Sequence, residues 1–264
     1  MIETHFYGSK EKGYFTAKAF SLFPHIFGDK GQSAILLYSY FRWTDDFIDS
    51  PTIEAEKKID FLNRQRELLL GIKQNNMSQQ ETKILESGLF QTHTNGLLLK
   101  SAMLLFETFE NDVLHSELNP RNKDDLITYH QETLLSCIGG LSLLLNEEAI
   151  NPSDDFLTLL YYWGIIGSLK DLTEDLEAGK IQVNLSKEEI SDLKLIPLDE
   201  RKKYFMRIFT EDRFNAMKKK AISELVKHKK SFFKVNMPFW QQLASYIYMF
   251  RAEYQAKKKL VYPF

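Results

Sequence analysis

A chain of 264 residues, 44% hydrophobic and 13% aromatic, has material for one large core and no length that forces a second domain. Its 34 basic and 36 acidic side chains leave a formal charge of −2, which excludes the basic excess of a nucleic-acid binder but not a small phosphorylated substrate. The single cysteine, Cys137, excludes an internal disulfide framework and, with no charged-then-apolar pattern after Met1-Ile2-Glu3-Thr4-His5, points to the reducing cytoplasm.

Seven prolines and twelve glycines punctuate the chain. Between them apolar residues recur at three- and four-residue spacing, without the alternation of strands. The spacing predicts helices over 12–23, 30–48, 53–73, 80–93, 96–117, 123–146, 153–178, 187–194, 198–230 and 237–259. Pro24 and Gly28 are read as stopping the first, and Ser50-Pro51-Thr52 as separating the second from the third. The polar run Asn75-Asn76-Met77-Ser78 precedes the fourth, Asn119-Pro120 closes the fifth, and Asn151-Pro152-Ser153-Asp154 resembles an N-cap. The longest uncharged stretch, 156–169, falls short of the ~18–20 apolar residues of a membrane span. Without repeats or low-complexity segments, the expected fold is all-α, one helical domain over residues 1–264.

The second predicted helix closes on Tyr38-Ser39-Tyr40-Phe41-Arg42-Trp43-Thr44-Asp45-Asp46-Phe47-Ile48-Asp49. Asp45 and Asp49 share a face that runs back through Arg42, Phe41 and Tyr38. Like charges at that spacing cost the helix a few tenths of a kcal/mol unless a cation sits between them. The seventh repeats the arrangement in Asp171-Leu172-Thr173-Glu174-Asp175, with Ser168, Gly167 and Gly164 behind the acids. A glycine inside a helix costs ~1 kcal/mol relative to alanine, so two on one stripe imply a close approach. The sixth helix carries a similar notch at Ser136, Gly139 and Gly140. One acidic string of this kind is ordinarily a solvated helix end; two on separate apolar helices are not accounted for that way. The glycines alone fit helix packing as well as ligand space.

Carboxylate-only ligand sets select hard cations, and Mg²⁺ takes one or two carboxylates together with substrate phosphates and waters. Asp45, Asp46, Asp49, Asp171, Glu174 and Asp175 are therefore candidate Mg²⁺ ligands for a diphosphate substrate, with Arg42, Lys170 and Lys180 as candidate cations for its oxygens. Departure of an allylic diphosphate leaves a carbocation that ring faces stabilise, and the chain holds 20 Phe, 12 Tyr and 3 Trp. Other chemistry-bearing residues read more simply. Asp112 and His115 lack the second copy that a di-iron bundle needs. His130 is a satisfied histidine before it is a base, Cys137 is a structural thiol, and the lysines from Lys218 to Lys230 form a solvated face.

At these residues the sequence resembles the squalene/phytoene synthase family. Arg42-Trp43-Thr44-Asp45-Asp46-Phe47-Ile48-Asp49 resembles its first acidic motif, Arg-x-x-Asp-Asp-x-x-Asp, and Leu169-Lys170-Asp171-Leu172-Thr173-Glu174-Asp175 its second, Leu-Arg-Asp-x-x-Glu-Asp. Asn184-Leu185-Ser186 is similar to the Tyr-Leu-Pro segment that follows, and Ala19-Phe20-Ser21-Leu22-Phe23-Pro24 to the N-terminal Leu-Pro segment. Phe106-Glu107-Thr108-Phe109-Glu110-Asn111-Asp112, Tyr129 and Tyr248 are weaker echoes.

The resemblance implies an isoprenoid-synthase helical bundle around a central cavity, with Mg²⁺ on Asp45, Asp49, Asp171 and Asp175 and with Asp46 and Glu174 in the same motifs. It implies catalytic roles for Arg42, Tyr129, Lys170 and Tyr248, and substrate contacts at Tyr38, Phe41, Gly139, Gly164, Gly167 and Lys180. The implied reaction is head-to-head joining of two prenyl diphosphates, farnesyl or geranylgeranyl, to a dehydrosqualene-, squalene- or phytoene-like hydrocarbon. A greasy product of that kind is compatible with peripheral contact with a bilayer. Four positions depart from the family pattern. Gly13-Tyr14-Phe15-Thr16 stands for Ser-x-Ser-Phe, Gly167 for a metal-site asparagine, Lys170 for arginine and Ser186 for proline. The alternatives are accordingly a class I terpene cyclase or diphosphate lyase acting on one prenyl diphosphate, and a non-catalytic member of the family.

Overall fold

The computed structural model describes residues 23–50, 52–92, 96–115 and 117–264. Residues 12–22 of the predicted helix over 12–23, the Gly13–Thr16 stretch, most of the Leu-Pro segment and Pro51 lie outside the described residues. Among the described residues there is no strand, and the fold is all-α. No helix among them is long and apolar enough to cross a membrane. The chain divides into two compact units: unit one is Met1–Val113 with Ser136–Ala149, and unit two is Leu114–Leu135 with Ile150–Phe264.

In unit one, α1 (Phe23–Phe27) contains Pro24 in its first turn, where a missing N–H is tolerated. Gly28 ends this helix at φ 57, and α2 (Asp29–Asp49) follows. Then come α3 (Ala55–Leu69), α4 (Gln79–Glu86), α5 (Leu89–Thr92) and α6 (Leu97–Leu114). The predicted helix over 80–93 is two helices, because Gly88 turns the chain at φ 62. Ser78 caps α4: its hydroxyl accepts from the Glu81 N–H and Glu81 accepts from the Ser78 N–H, which satisfies two donors left over at the helix start. The core of this unit includes Leu37, Tyr40, Leu62, Leu68, Leu98, Leu105 and Phe106. Each such side chain contributes about 1.5–3 kcal/mol on full burial.

The boundary between the units falls within α7 (Lys123–Asn146), between Leu135 and Ser136. Unit two continues with α8 (Asp154–Glu177), α9 (Lys187–Leu195), α10 (Leu198–Ile208), α11 (Glu211–His228), a 3₁₀ turn (Lys229–Lys234) and α12 (Phe239–Lys258). The Ser153 hydroxyl caps α8 by accepting from the Phe156 N–H at 3.3 Å. The predicted helix over 198–230 breaks at Phe209-Thr210. Phe209 is fully buried and stacks on Phe205 at 5.2 Å, while Thr210 caps α11. Ser186, standing where the family pattern has proline, makes a second capping box with Glu189. Helix α8 packs against α11, α12 and the 3₁₀ turn. The link from α8 to α9 is itself buried: Ile181, Val183 and Leu185 face the core, Gln182 accepts from Arg121 at 2.9 Å, and the Asn184 amide donates to the Tyr161 oxygen at 2.6 Å. Gly179 starts this link at φ 77, and a Cβ there would lie 3.1 Å from the Glu117 nitrogen.

Candidate functional site

The acids of α2 belong to unit one, and a buried polar chain positions their helix. The Tyr40 hydroxyl donates to Gln65 Oε1 at 2.9 Å, Gln65 Nε2 donates to Glu81 Oε1 at 2.8 Å, and Arg64 donates to both Glu81 oxygens at 2.6 and 3.0 Å. Burial pushes the Glu81 carboxyl up, but the hydrogen bonds from Arg64, the Ser78 backbone and Gln65 outweigh it and hold it at about 2. Burial, and then the Glu81 charge, push the Tyr40 hydroxyl well up, so it stays a donor. Two residues on, Arg42 donates to Asp45 Oδ2 at 2.9 Å and reaches Asp46 Oδ1 at 2.6 Å. Burial works against the guanidinium charge, yet Asp45, Asp46 and Tyr38 together outweigh it and raise its pKa.

Arg42 thus answers the like-charge repulsion of this acidic turn from within the helix. Asp49 is exposed, and Tyr38 and Phe41 are half-buried against the core, Phe41 edge-on to Phe106 at 6.0 Å. The second half of α7 adds the small-residue notch. Ser101 donates to the Ser136 carbonyl at 2.9 Å, and a Cβ on Gly140 would meet Leu37, Ser101 and Leu98 at 3.6–3.8 Å, so these two positions pack helices. Gly139 differs: a Cβ there would meet nothing within 4 Å. Part of Cys137 meets solvent, but protein crowds its sulfur. Burial first and the Asp45 charge second push the thiol up to about 12, so it is no nucleophile at neutral pH.

The acids of α8 belong to unit two, and a steric lock positions their helix. A Cβ on Gly164 would lie 2.4 Å from the His130 ring, so the space this glycine leaves is filled by the buried histidine. Gly164 is therefore a packing position and not an opening for substrate. Ser168 Oγ lies 3.5 Å from His130 Nε2, and the Tyr161 ring stands 6.1 Å from the imidazole. Gly167 is open, with nothing within 4 Å of a Cβ, and it shares a face with Asp171, four residues on. Asp171 and Asp175 are half-buried and Glu174 is exposed. Lys170 is exposed and stands 3.6 Å from Asp171 Oδ1, a loose pair worth little. Lys180, expected as a substrate cation, is buried, and its N–H donates to the Asp175 carbonyl at 2.6 Å. Tyr129 lies under the Arg121 guanidinium at 4.0 Å, and Tyr248 is 41% exposed with its ring 5.8 Å from Trp163.

Among the described residues, no three His, Cys, Asp or Glu side chains stand together as a ready-made metal cage. The donor chemistry of both acidic turns is all oxygen and solvent-reachable. That fits hydrated Mg²⁺, which takes one or two carboxylates plus phosphate oxygens and needs no closed cage. The sequence reading passed over Arg121. It is buried two residues before α7 and joins Tyr129 to Gln182. Its signal is only the loop Asn119-Pro120-Arg121, whose fold back onto α7 no periodicity announces. No family model matches the chain, and no curated protein matches it.

Proposed function

We propose that this chain is a Mg²⁺-dependent enzyme that ionises allylic prenyl diphosphates and joins two of them head to head. The observation that carries the reading is the face of α8 on which Asp171 follows an open glycine, Gly167, so that a carboxylate stands beside room for a ligand. When bound, Mg²⁺ supplies charge withdrawal from the departing diphosphate. The chain's own part is to present carboxylates from each acidic turn, Asp45 and Asp49 on α2 and Asp171 and Asp175 on α8. Arg42 pairs with Asp45 at 2.9 Å and Asp46 at 2.6 Å and so aims them, and its remaining N–H groups suit a phosphate oxygen. Aromatic faces at Phe41 on α2 and Tyr248 on α12 suit a carbocation.

A second reading, single-substrate cyclisation or diphosphate loss, is favoured by Gly167 itself. A side-chain amide at that position would offer another metal ligand, and glycine offers none. Incubation with Mg²⁺ and, in turn, geranyl, farnesyl and geranylgeranyl diphosphate distinguishes the readings by mass spectrometry of the extract and by diphosphate release. A coupled hydrocarbon supports condensation, a single-substrate terpene or alcohol supports the second reading, and no Mg²⁺-dependent turnover of any of the three overturns both.

A further inference from the structure

In unit two the loop before α7 and the link after α8 touch at matching steps. The Leu118 N–H donates to the Gly179 carbonyl at 2.6 Å, and three residues further along both segments Arg121 Nη1 donates to Gln182 Oε1 at 2.9 Å. Asn122 then turns the chain into α7, its side-chain oxygen accepting from the Asp124 and Asp125 N–H groups at 2.9 and 3.0 Å. Backbone on either side thus fixes where Arg121 starts. Arg121 and Gln182 are each 4% exposed, and the guanidinium lies 4.0 Å from the centre of the Tyr129 ring. Burying a cation is costly, and an apolar side chain would fill the same space at lower cost. The charge over that ring therefore calls for a use.

Tyr129 stands near the open part of α8. Its ring is 5.2 Å from that of His130, which fills the space at Gly164. One turn along the same face comes Gly167, with nothing within 4 Å of a Cβ, and one turn further Asp171. Arg121 changes what a phenol in that place can do. A guanidinium over one ring face takes the position that a carbocation would occupy there and repels it. The same charge draws electron density from the phenol and strengthens its hydroxyl as a donor. Such a hydroxyl suits an anionic oxygen better than the ring suits a carbocation.

We propose that Arg121 is a positioning residue that holds Tyr129 by its ring face, so that the hydroxyl and not the ring serves the departing diphosphate. The inference rests on the prenyl diphosphate reading above and adds how Tyr129 is used in it. A double-mutant cycle in steady-state kinetics tests it, with Mg²⁺ and whichever of geranyl, farnesyl and geranylgeranyl diphosphate the parent turns over. Tyr129→Phe keeps the ring and loses the hydroxyl, and is expected to lower kcat about 100-fold. Arg121→Lys keeps the charge and loses the planar fork, and is expected to lower kcat about tenfold with KM within about twofold of the parent. In the Tyr129→Phe background the same lysine is expected to change kcat by less than about twofold, because no hydroxyl is left to place. Gln182→Met loosens the guanidinium without removing it and serves if Arg121→Lys does not fold. It is expected to lower kcat several-fold in the parent and not in Tyr129→Phe. Equal losses in both backgrounds, a parental kcat, or a raised KM at unchanged kcat overturns the proposal and leaves the reaction standing. No turnover by the parent overturns the reaction and the proposal with it.

Discussion

Two turns of nearly the same acidic string are held in place by different physics. On α2, Arg42 sits among the acids, and behind them a chain of hydrogen bonds runs from Tyr40 through Gln65 to Glu81 and Arg64. On α8 the neighbouring cation, Lys170, is exposed and 3.6 Å away, and the helix is instead fixed by the His130 ring filling the space at Gly164. The first support is electrostatic and depends on pH and on every partner being present. The second is steric and depends on the absence of one methyl group. A sequence motif therefore states which groups are available but not how firmly they are held.

The largest expected effect tests whether both turns act in one reaction. Asp45→Asn and Asp171→Asn are each expected to lower Mg²⁺-dependent turnover of a prenyl diphosphate about 100- to 1,000-fold, the loss usual for a group that stabilises developing charge, with unchanged circular dichroism. Loss in one variant only would confine the chemistry to one helix and break the functional half of the comparison.

Stability against pH sharpens the structural half. The folded carboxyl of Glu81 lies at about 2 against an ordinary 4.5. A depressed pKa contributes stability above the unfolded value that is lost as pH falls, here between about 4.5 and about 2. The shift corresponds to roughly 3 kcal/mol at neutral pH. Glu81→Gln is expected to remove about 2–3 kcal/mol in urea unfolding at pH 7 and to flatten the acid limb of the parent's pH profile. A Glu81→Gln protein that keeps the parental acid limb would show that the polar chain does not position α2.

The steric lock on α8 calls for a double-mutant cycle. Gly164→Ala forces a methyl group into the His130 ring and is expected to cost about 1–3 kcal/mol, with the acid limb unaltered. In a His130→Gly background, which also removes the His130 Cβ that would lie 2.7 Å from the new methyl group, the same substitution is expected to cost nothing or to stabilise slightly, since alanine is the better helix former. Additive costs would mean that the two residues do not share the space.

These supports differ in how legible they were. Helix type and the acidic strings were readable, because 3.6-residue periodicity and one or two residue types carry them. The break at Thr210 was missed because Phe205, Phe209 and Phe214 keep an apolar pattern through it, and the capping hydroxyl is a single weak local signal. The split at Gly88 was missed for a similar reason, since a glycine inside a helical pattern reads as tolerated until its φ is known. Of the small-residue stripes, sequence could not separate Gly164 from Gly167 or Gly140 from Gly139: what fills the gap lies far along the chain, at His130 and at Leu37, Leu98 and Ser101.

That last distinction gives the smallest and most selective expected effect. Gly139 and Gly167 have nothing within 4 Å of a Cβ and lie inside helices α7 and α8. Alanine at either position is therefore expected to raise stability by up to about 1 kcal/mol through helix propensity alone. If the openings serve only the backbone, turnover follows the parent. If they admit a prenyl chain, each alanine raises KM several-fold and a bulkier Gly167→Leu raises it further, while the melting temperature does not fall. A fall in melting temperature for Gly139→Ala or Gly167→Ala would instead place both glycines with Gly140 and Gly164 as packing positions, and the open face of α8 would lose its claim to the substrate.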